Sequence, residues 1–265
     1  MRGMESALLG RQITRAFIRR PDLRTPFPPD LGQVLTGARI VGFRRRAKYI
    51  LMRLDRGQSV LWHLGMSGRI VINGPRDQKH EHVLLECEGG LHVAFVDPRR
   101  FGSIDLVATE AEDQHRLLAH LGPEPLSDVL TGAFLLAAFA GKRTAIKLAL
   151  LDQTLIAGLG NIYVCEALFR AGIHPLRPCN AVRKREAGVL AAAIKETLNE
   201  AIAAGGSSLR DYVQASGELG YFQHQWRVYG KEGEPCPDCT GAPCTGVQRI
   251  AQGGRSSFFC PQKQK

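Results

Sequence analysis

The sequence predicts an α+β protein in three parts: an N-terminal antiparallel β-sandwich, a helical lobe and a small C-terminal metal ribbon. Three observations carry this. From about Ala38 to Val107 the chain runs in short β-rich segments, ARIVGFRRRAKYILMRL, SVLWHLGMSGRIVI, HVLLECEGGLHVAFV and GSIDLV, divided by Gly, Pro or Asp. Antiparallel strands at this spacing read as a sandwich. From about Glu110 the apolar spacing changes to i, i+3, i+4 in LTGAFLLAAFAG, TAIKLALLDQTLIAGLG, NIYVCEALFRAGI and AVRKREAGVLAAAIKETLNEAIAAGG, with glycines at or near the segment ends. From about Gln225 the chain turns rich in Gly, Pro and Cys, as a hairpin around a metal would be. The expected boundaries are 1–109, 110–224 and 225–265.

Composition narrows the partners. The 265 residues include 35 Lys+Arg against 25 Asp+Glu, a formal net charge of +10. An excess of this sign favours a polyanion, with nucleic acid first, although a merely basic soluble protein has the same balance. No apolar run approaches the roughly 18 residues of a transmembrane helix. The first residues, MRGMESALLGRQITR, have no signal-peptide apolar region, so no membrane partner and a cytoplasmic, bacterial-type location are expected. Cys87, Cys165 and Cys179 stand singly and read as packing thiols in a reduced compartment. Cys236, Cys239, Cys244 and Cys260 crowd the end and read as metal ligands.

Taken alone, the other chemistry-bearing positions admit plain readings. Gly158-Leu159-Gly160 before Asn161 suits a backbone approaching phosphate at a helix N-terminus, but a glycine C-cap followed by an asparagine N-cap is favoured on spacing. Lys48 in RRAKY could be a snorkelling surface lysine on a strand. Met66 and Phe101 could be core, and His80, Lys142 and Lys147 solvated charges.

The whole string GLGNIYVCEALFRAGIHP changes the weighting. It resembles the helix–two-turns–helix element of formamidopyrimidine-DNA glycosylases and endonuclease VIII. The likeness continues in RRAKYILMRL, HLGMSG, KHEHV, DPRRFG, HLGPEPLS, KRTAIK, GYFQ, VYGKEGEPC and GGRSSFFC, covering nearly the entire chain in order. It implies a monomeric base-excision enzyme that removes oxidised purines (formamidopyrimidines, and 8-oxoguanine opposite cytosine) from double-stranded DNA and cleaves the abasic site. In the family the lysine at Lys48 lies in the active site and contacts a phosphate. Met66, Arg99 and Phe101 match residues that enter the duplex and fill the hole left by the flipped nucleotide, with Arg99 reading the cytosine. His80, Lys142, Lys147 and Asn161 match DNA contacts, and Arg255 an arginine that grips phosphate and assists the final elimination. The segment from about Leu209 to Phe222 matches the lesion-capping loop.

Two departures stand out. The family ribbon has two CxxC pairs. Here Cys236-Pro-Asp-Cys239 fits the first, but Lys263 stands where the fourth ligand belongs, and lysine is a poor zinc ligand. The extra Cys244 leaves four cysteines, so the expectation is one structural Zn2+ on Cys236, Cys239, Cys244 and Cys260, against a three-cysteine or empty ribbon. The family also opens on Pro-Glu, the proline amine being its nucleophile, whereas this chain begins Met1-Arg2-Gly3-Met4-Glu5. This start matches family residues about ten positions in, so the Met1 amine stands about ten helical residues, roughly 15 Å, from the place of the nucleophile, and Glu5 matches a helix glutamate and not the catalytic one. Two alternatives remain: translation that starts upstream, or a non-catalytic protein that binds damaged DNA.

Overall fold

The computed structural model describes residues 1–206, 221–239 and 244–265. The described chain divides into two compact units, residues 1–119 with 205, 206 and 221, and residues 120–204 with 222–239 and 244–265.

The first unit is the β-sandwich. After a short helix α1 (Arg2–Leu8) come β1 (Ile13–Ile18), α2 (Leu31–Leu35) and seven more strands: β2 (Ile40–Arg46), β3 (Tyr49–Leu54), β4 (Gln58–His63), β5 (Arg69–Ile72), β6 (Glu81–Cys87), β7 (His92–Val96) and β8 (Ser103–Ala108). They form two four-stranded sheets, β1-β6-β7-β5 and β2-β3-β4-β8, with every pairing antiparallel. ARIVGFRRRAKYILMRL and HVLLECEGGLHVAFV become the hairpins β2–β3 and β6–β7, whereas SVLWHLGMSGRIVI divides into β4 of one sheet and β5 of the other. The period of two sends one face of each strand inward. Ile13, Val83, Leu85, Val93 and Phe95 from one sheet share a core with Ile40, Met52, Leu54, Val60, Trp62 and Ile104 from the other, and Met4, Leu8, Leu31 and Leu35 of the helices join it. Trp62 and Phe95 meet edge to face at 5.7 Å, a favoured aromatic geometry.

On the outside of the second sheet, Glu112 is buried to 2% exposure in the turn Thr109–Gln114. It accepts from Arg53 at 2.8 and 2.7 Å, from Arg44 at 2.9 Å and from Ser59 at 2.7 Å, so one carboxylate ties the turn to three strands. Burial alone would raise its pKa, but these donors outweigh it and hold the carboxyl down at about 2.

The second unit contains α3 (Gly132–Phe139), α4 (Ile146–Leu151), α5 (Asn161–Ala171), α6 (Lys184–Ala203) and the hairpin β9 (Gln248–Gln252)–β10 (Arg255–Phe259). Apolar spacing predicts a helix running through TAIKLALLDQTLIAGLG, but α4 stops at Leu151. Asp152 accepts from the backbone N–H and hydroxyl of Thr154, a local bond that competes with helix continuation. The Gln153 amide then bonds Leu151, Leu159 and Gly158, satisfying the turns that lead to α5. Gly172 closes α5 in the left-handed region (φ 71°), where a side chain would be strained. Leu135, Phe139, Ile146, Leu150, Val164, Leu168, Leu190 and Ile194 build this unit's own core. The single cysteines Cys87, Cys165 and Cys179 are buried, as packing thiols should be.

Candidate nucleic-acid interface and metal centre

In the first unit the chemistry-bearing residues stand at the ends of strands. Lys48 does not lie within a strand, as its motif suggests. It sits in the two-residue turn that closes the β2–β3 hairpin, where Arg46 pairs with Tyr49 and Ala47 takes φ 51°. A turn this tight places the lysine as firmly as a strand would. Its ammonium is close enough to His63 to help depress that imidazole's pKa, after burial and ahead of Arg24. His63 ends β4, and its Nδ1 accepts from the Gly65 N–H at 3.2 Å, so the neutral ring carries its proton on Nε2.

Met66 and Phe101 are not core residues. Met66 is 68% exposed on the β4–β5 loop and Phe101 43% exposed on the β7–β8 loop. The Arg99 guanidinium carbon lies 4.8 Å from the centre of the Phe101 ring, a cation–π distance. Two apolar groups and a stacked cation are therefore held out towards solvent from adjoining loops. His80 is exposed in the turn before β6, at φ 68°.

In the second unit Lys142 is exposed after α3, and Arg255 is exposed at the start of β10. Asn161 is the first residue of α5; Gly160 takes the N-cap place, which leaves the asparagine amide free for other work. Its Nδ2 donates to the Ser256 carbonyl at 2.9 Å and reaches the Tyr229 hydroxyl at 3.4 Å. Lys147 departs from the expectation of a charge offered to DNA. It is fully buried, and its Nζ donates to the Ser256 carbonyl at 2.9 Å and the Ser257 hydroxyl at 2.6 Å. Burial and Arg255 lower its pKa against the opposing pull of Cys165. As folded it braces β10 behind Arg255.

Four residues that sequence reasoning did not single out belong to these arrangements: His63, Asp97, Tyr229 and Glu166. All lie inside motifs that are legible, HLGMSG, DPRRFG, VYGKEGEPC and the α5 string. Glu166 is buried and accepts the backbone N–H groups of Arg227, Val228 and Tyr229 at 2.9, 3.1 and 2.8 Å, fixing Tyr229 beside Asn161. Of the capping-loop segment, about Leu209 to Phe222, all but Tyr221 and Phe222 lies outside the described residues.

The ligand atoms of Cys236, Cys239, Cys244 and Cys260 all lie within 4.8 Å of one another, with Cys260 Sγ 3.6 Å from Cys239 and 3.5 Å from Cys244. Burial, with the neighbouring thiols, pushes the Cys239 thiol up. Four thiols gathered this closely suit a cation that would deprotonate them. The donor set fits a metal, and Cys244 supplies the fourth sulfur that Lys263 cannot. Lys263 instead pairs with Asp238, which also pairs with Arg227.

Comparison with known proteins identifies the family. The profile of the formamidopyrimidine-DNA glycosylase N-terminal domain matches residues 1–104, and that of the formamidopyrimidine-DNA glycosylase H2TH domain matches residues 121–213. The chain is 58% identical to the formamidopyrimidine-DNA glycosylase of Acidiphilium cryptum over all of its own length and 96% of that protein's. The crystal structure of MutM (Fpg) from Thermus thermophilus superposes with a TM-score of 0.87 at 37% identity, covering 99% of this chain and 95% of that one. Lactococcus lactis Fpg in complex with DNA containing an abasic site gives 0.90 at 33%, covering 100% and 96%. With identity of this degree running from end to end, the chain belongs to the formamidopyrimidine-DNA glycosylase family, enzymes of base-excision DNA repair.

Proposed function

We propose that the chain binds double-stranded DNA at a damaged base or abasic site, and that the reaction it serves is excision of oxidised purines, formamidopyrimidines and 8-oxoguanine paired with cytosine, followed by cleavage at the abasic site. The observation that carries this reading is the trio Met66, Arg99 and Phe101, exposed together on two adjoining loops. An apolar side chain left in water gains nothing there, whereas inside a duplex it replaces the stacking that a flipped nucleotide removes. Arg99 brings N–H donors to the same place. Cytosine left without its partner offers acceptors that a guanidinium fork can meet, and this gives the preference for a lesion paired with cytosine. In the L. lactis complex the bound DNA contains an abasic site, the state that such a wedge would stabilise.

The remaining residues take supporting parts. Lys48, whose charge helps lower the His63 pKa, and Arg255, on the hairpin beside Asn161, each present a cation for a backbone phosphate. His80 and Lys142 add backbone contacts that position the duplex without reading its sequence. Lys147 acts through β10 and not by touching DNA. One zinc on Cys236, Cys239, Cys244 and Cys260 would hold the ribbon that carries Arg255; its contribution is structural, since four thiolates close the coordination shell.

The test is a binding comparison at moderate salt between a duplex carrying an abasic-site analogue opposite cytosine and its undamaged counterpart, with borohydride trapping on a true abasic site. Tighter binding to the lesion duplex is expected. Equal affinity for the two would overturn the reading, because the exposed trio would then be idle. Lesion-selective binding without a trapped adduct would leave the 265-residue chain as a damage-binding module.

A further inference from the structure

We infer that Asp97 is a positioning residue: it locks the loop that carries Met66 to the loop that carries Arg99 and Phe101, so that the three side chains meet a lesion as one preset wedge. The inference rests on the wedge role proposed above. Asp97 and Ser67 are buried, at 0% and 1% exposure, directly beneath three exposed side chains. Asp97 Oδ1 accepts from the Ser67 hydroxyl at 2.5 Å, and Oδ2 accepts from the Gly102 N–H at 2.7 Å. The same Ser67 hydroxyl accepts from the Arg99 N–H at 3.1 Å. Ser67 follows Met66, and Arg99 to Gly102 include the other two wedge residues, so this short chain of bonds links both loops next to the groups that matter.

The anchoring continues beneath. The Asp97 N–H donates to the His80 carbonyl at 3.0 Å, and its own carbonyl meets His82 Nε2 at 2.8 Å. The loops also touch backbone to backbone. A Cβ on Gly65 would stand 2.5 Å from the Phe101 carbonyl carbon, and one on Gly102 would stand 2.6 Å from the Phe95 ring and 3.0 Å from Asp97 Oδ2. Only glycine permits that approach, and the approach brings Met66 and Phe101 together. A wedge assembled from two independent loops would have to order both on binding; a wedge assembled beforehand avoids that entropy cost. An ionised carboxylate suits the task because it accepts on both oxygens at once, with charge-assisted strength.

The experiment uses the full chain and two duplexes, one with an abasic-site analogue opposite cytosine and one undamaged. 2-Aminopurine beside the lesion reports stacking by its fluorescence. Ser67→Ala and Asp97→Asn should each reduce the preference for the lesion duplex by about tenfold, equivalent to ~1.4 kcal/mol, and raise the 2-aminopurine signal. Ser67→Thr, which keeps the hydroxyl, should restore both. In a Phe101→Ala/Met66→Ala/Arg99→Ala background, Ser67→Ala should add nothing, because there is no wedge left to position. If Phe101→Ala and Met66→Ala lower the preference while Ser67→Ala and Asp97→Asn leave it and the fluorescence unchanged, or lower affinity for both duplexes equally, the positioning role is wrong and the wedge stands. If Phe101→Ala and Met66→Ala themselves change nothing, the wedge reading fails first. Should Asp97→Asn fold poorly by its melting temperature, the Ser67 pair decides the question alone.

Discussion

The Lys263 ammonium stands 4.1 Å from the centre of the Phe169 ring, outside the cluster of four cysteine sulfurs. Paired with Asp238 and laid over an aromatic face, it is a packing cation where the family pattern has a ligand. Lys263→Ala should therefore leave bound zinc unchanged. Cys244→Ser should lower it as much as Cys260→Ser does. Metal released by mercurial titration of the purified chain checks both, and full zinc retention in Cys244→Ser would remove that cysteine from the ligand set.

Phe101→Ala and Met66→Ala should each weaken lesion-duplex binding by about 1–3 kcal/mol through lost stacking, with a smaller effect on undamaged duplex. Arg99→Ala should in addition flatten the preference for cytosine opposite the lesion. Titrations against the four possible opposing bases give the answer. A uniform loss on every duplex would reassign these residues to packing.

Much of this is legible in the sequence alone. The sandwich, the helical segments and the cysteine ribbon follow from period, punctuation and spacing, and the exposed trio from resemblance. What escapes is geometry that no period encodes. Asp97, Ser67 and Glu166 sit in visible motifs, yet their importance lies in which N–H groups reach them across the fold. Lys147 reads as a solvated charge because a sequence does not show that β10 covers it. The end of α4 is hidden for a local reason: Asp152 and Gln153 bond the backbone of the turns, which apolar spacing cannot register. Lys48 reads as a strand residue because both of its flanks are strands, and only the pairing of Arg46 with Tyr49 reveals the turn.

Glu112 makes the sandwich sensitive to acid. Its carboxyl is held at about 2 in the fold against an ordinary 4.5. A carboxylate with a depressed folded pKa contributes stability that is complete above the ordinary value and is lost as pH falls from there towards the folded value. Glu112→Gln should thus cost about 2 kcal/mol at pH 7, the scale of hydrogen bonds to a charged group. The gap between wild type and variant should close between roughly pH 4.5 and 2. Urea unfolding of both proteins across that window tests it, and a gap that stays constant with pH would mean the carboxylate charge is not what holds the turn.

The two lysines of KRTAIK should separate in their response to salt. Each phosphate neutralised by an exposed cation releases condensed counterions, and the slope of log K against log salt falls by about 0.9 for each contact. Lys142 is exposed, so Lys142→Ala should make the slope shallower by about that amount if it meets a phosphate. Lys147 is fully buried against Ser256 and Ser257, so Lys147→Met should leave the slope unchanged. The replacement should also be well tolerated. The Ser256 carbonyl keeps the Asn161 donor, and the Ser257 hydroxyl keeps Gln252 as its acceptor, so no polar group is orphaned. Burial lowers the Lys147 pKa from 10.5. A lysine depressed in the fold binds its proton more weakly there than when unfolded, so wild type should gain stability over Lys147→Met as pH rises towards the ordinary lysine value. Salt titrations of DNA binding at pH 7, with urea unfolding at pH 7 and pH 10, measure both effects. A shallower salt slope in Lys147→Met would mean that the buried ammonium reaches a phosphate in the complex, and β10 would then have to move when DNA binds.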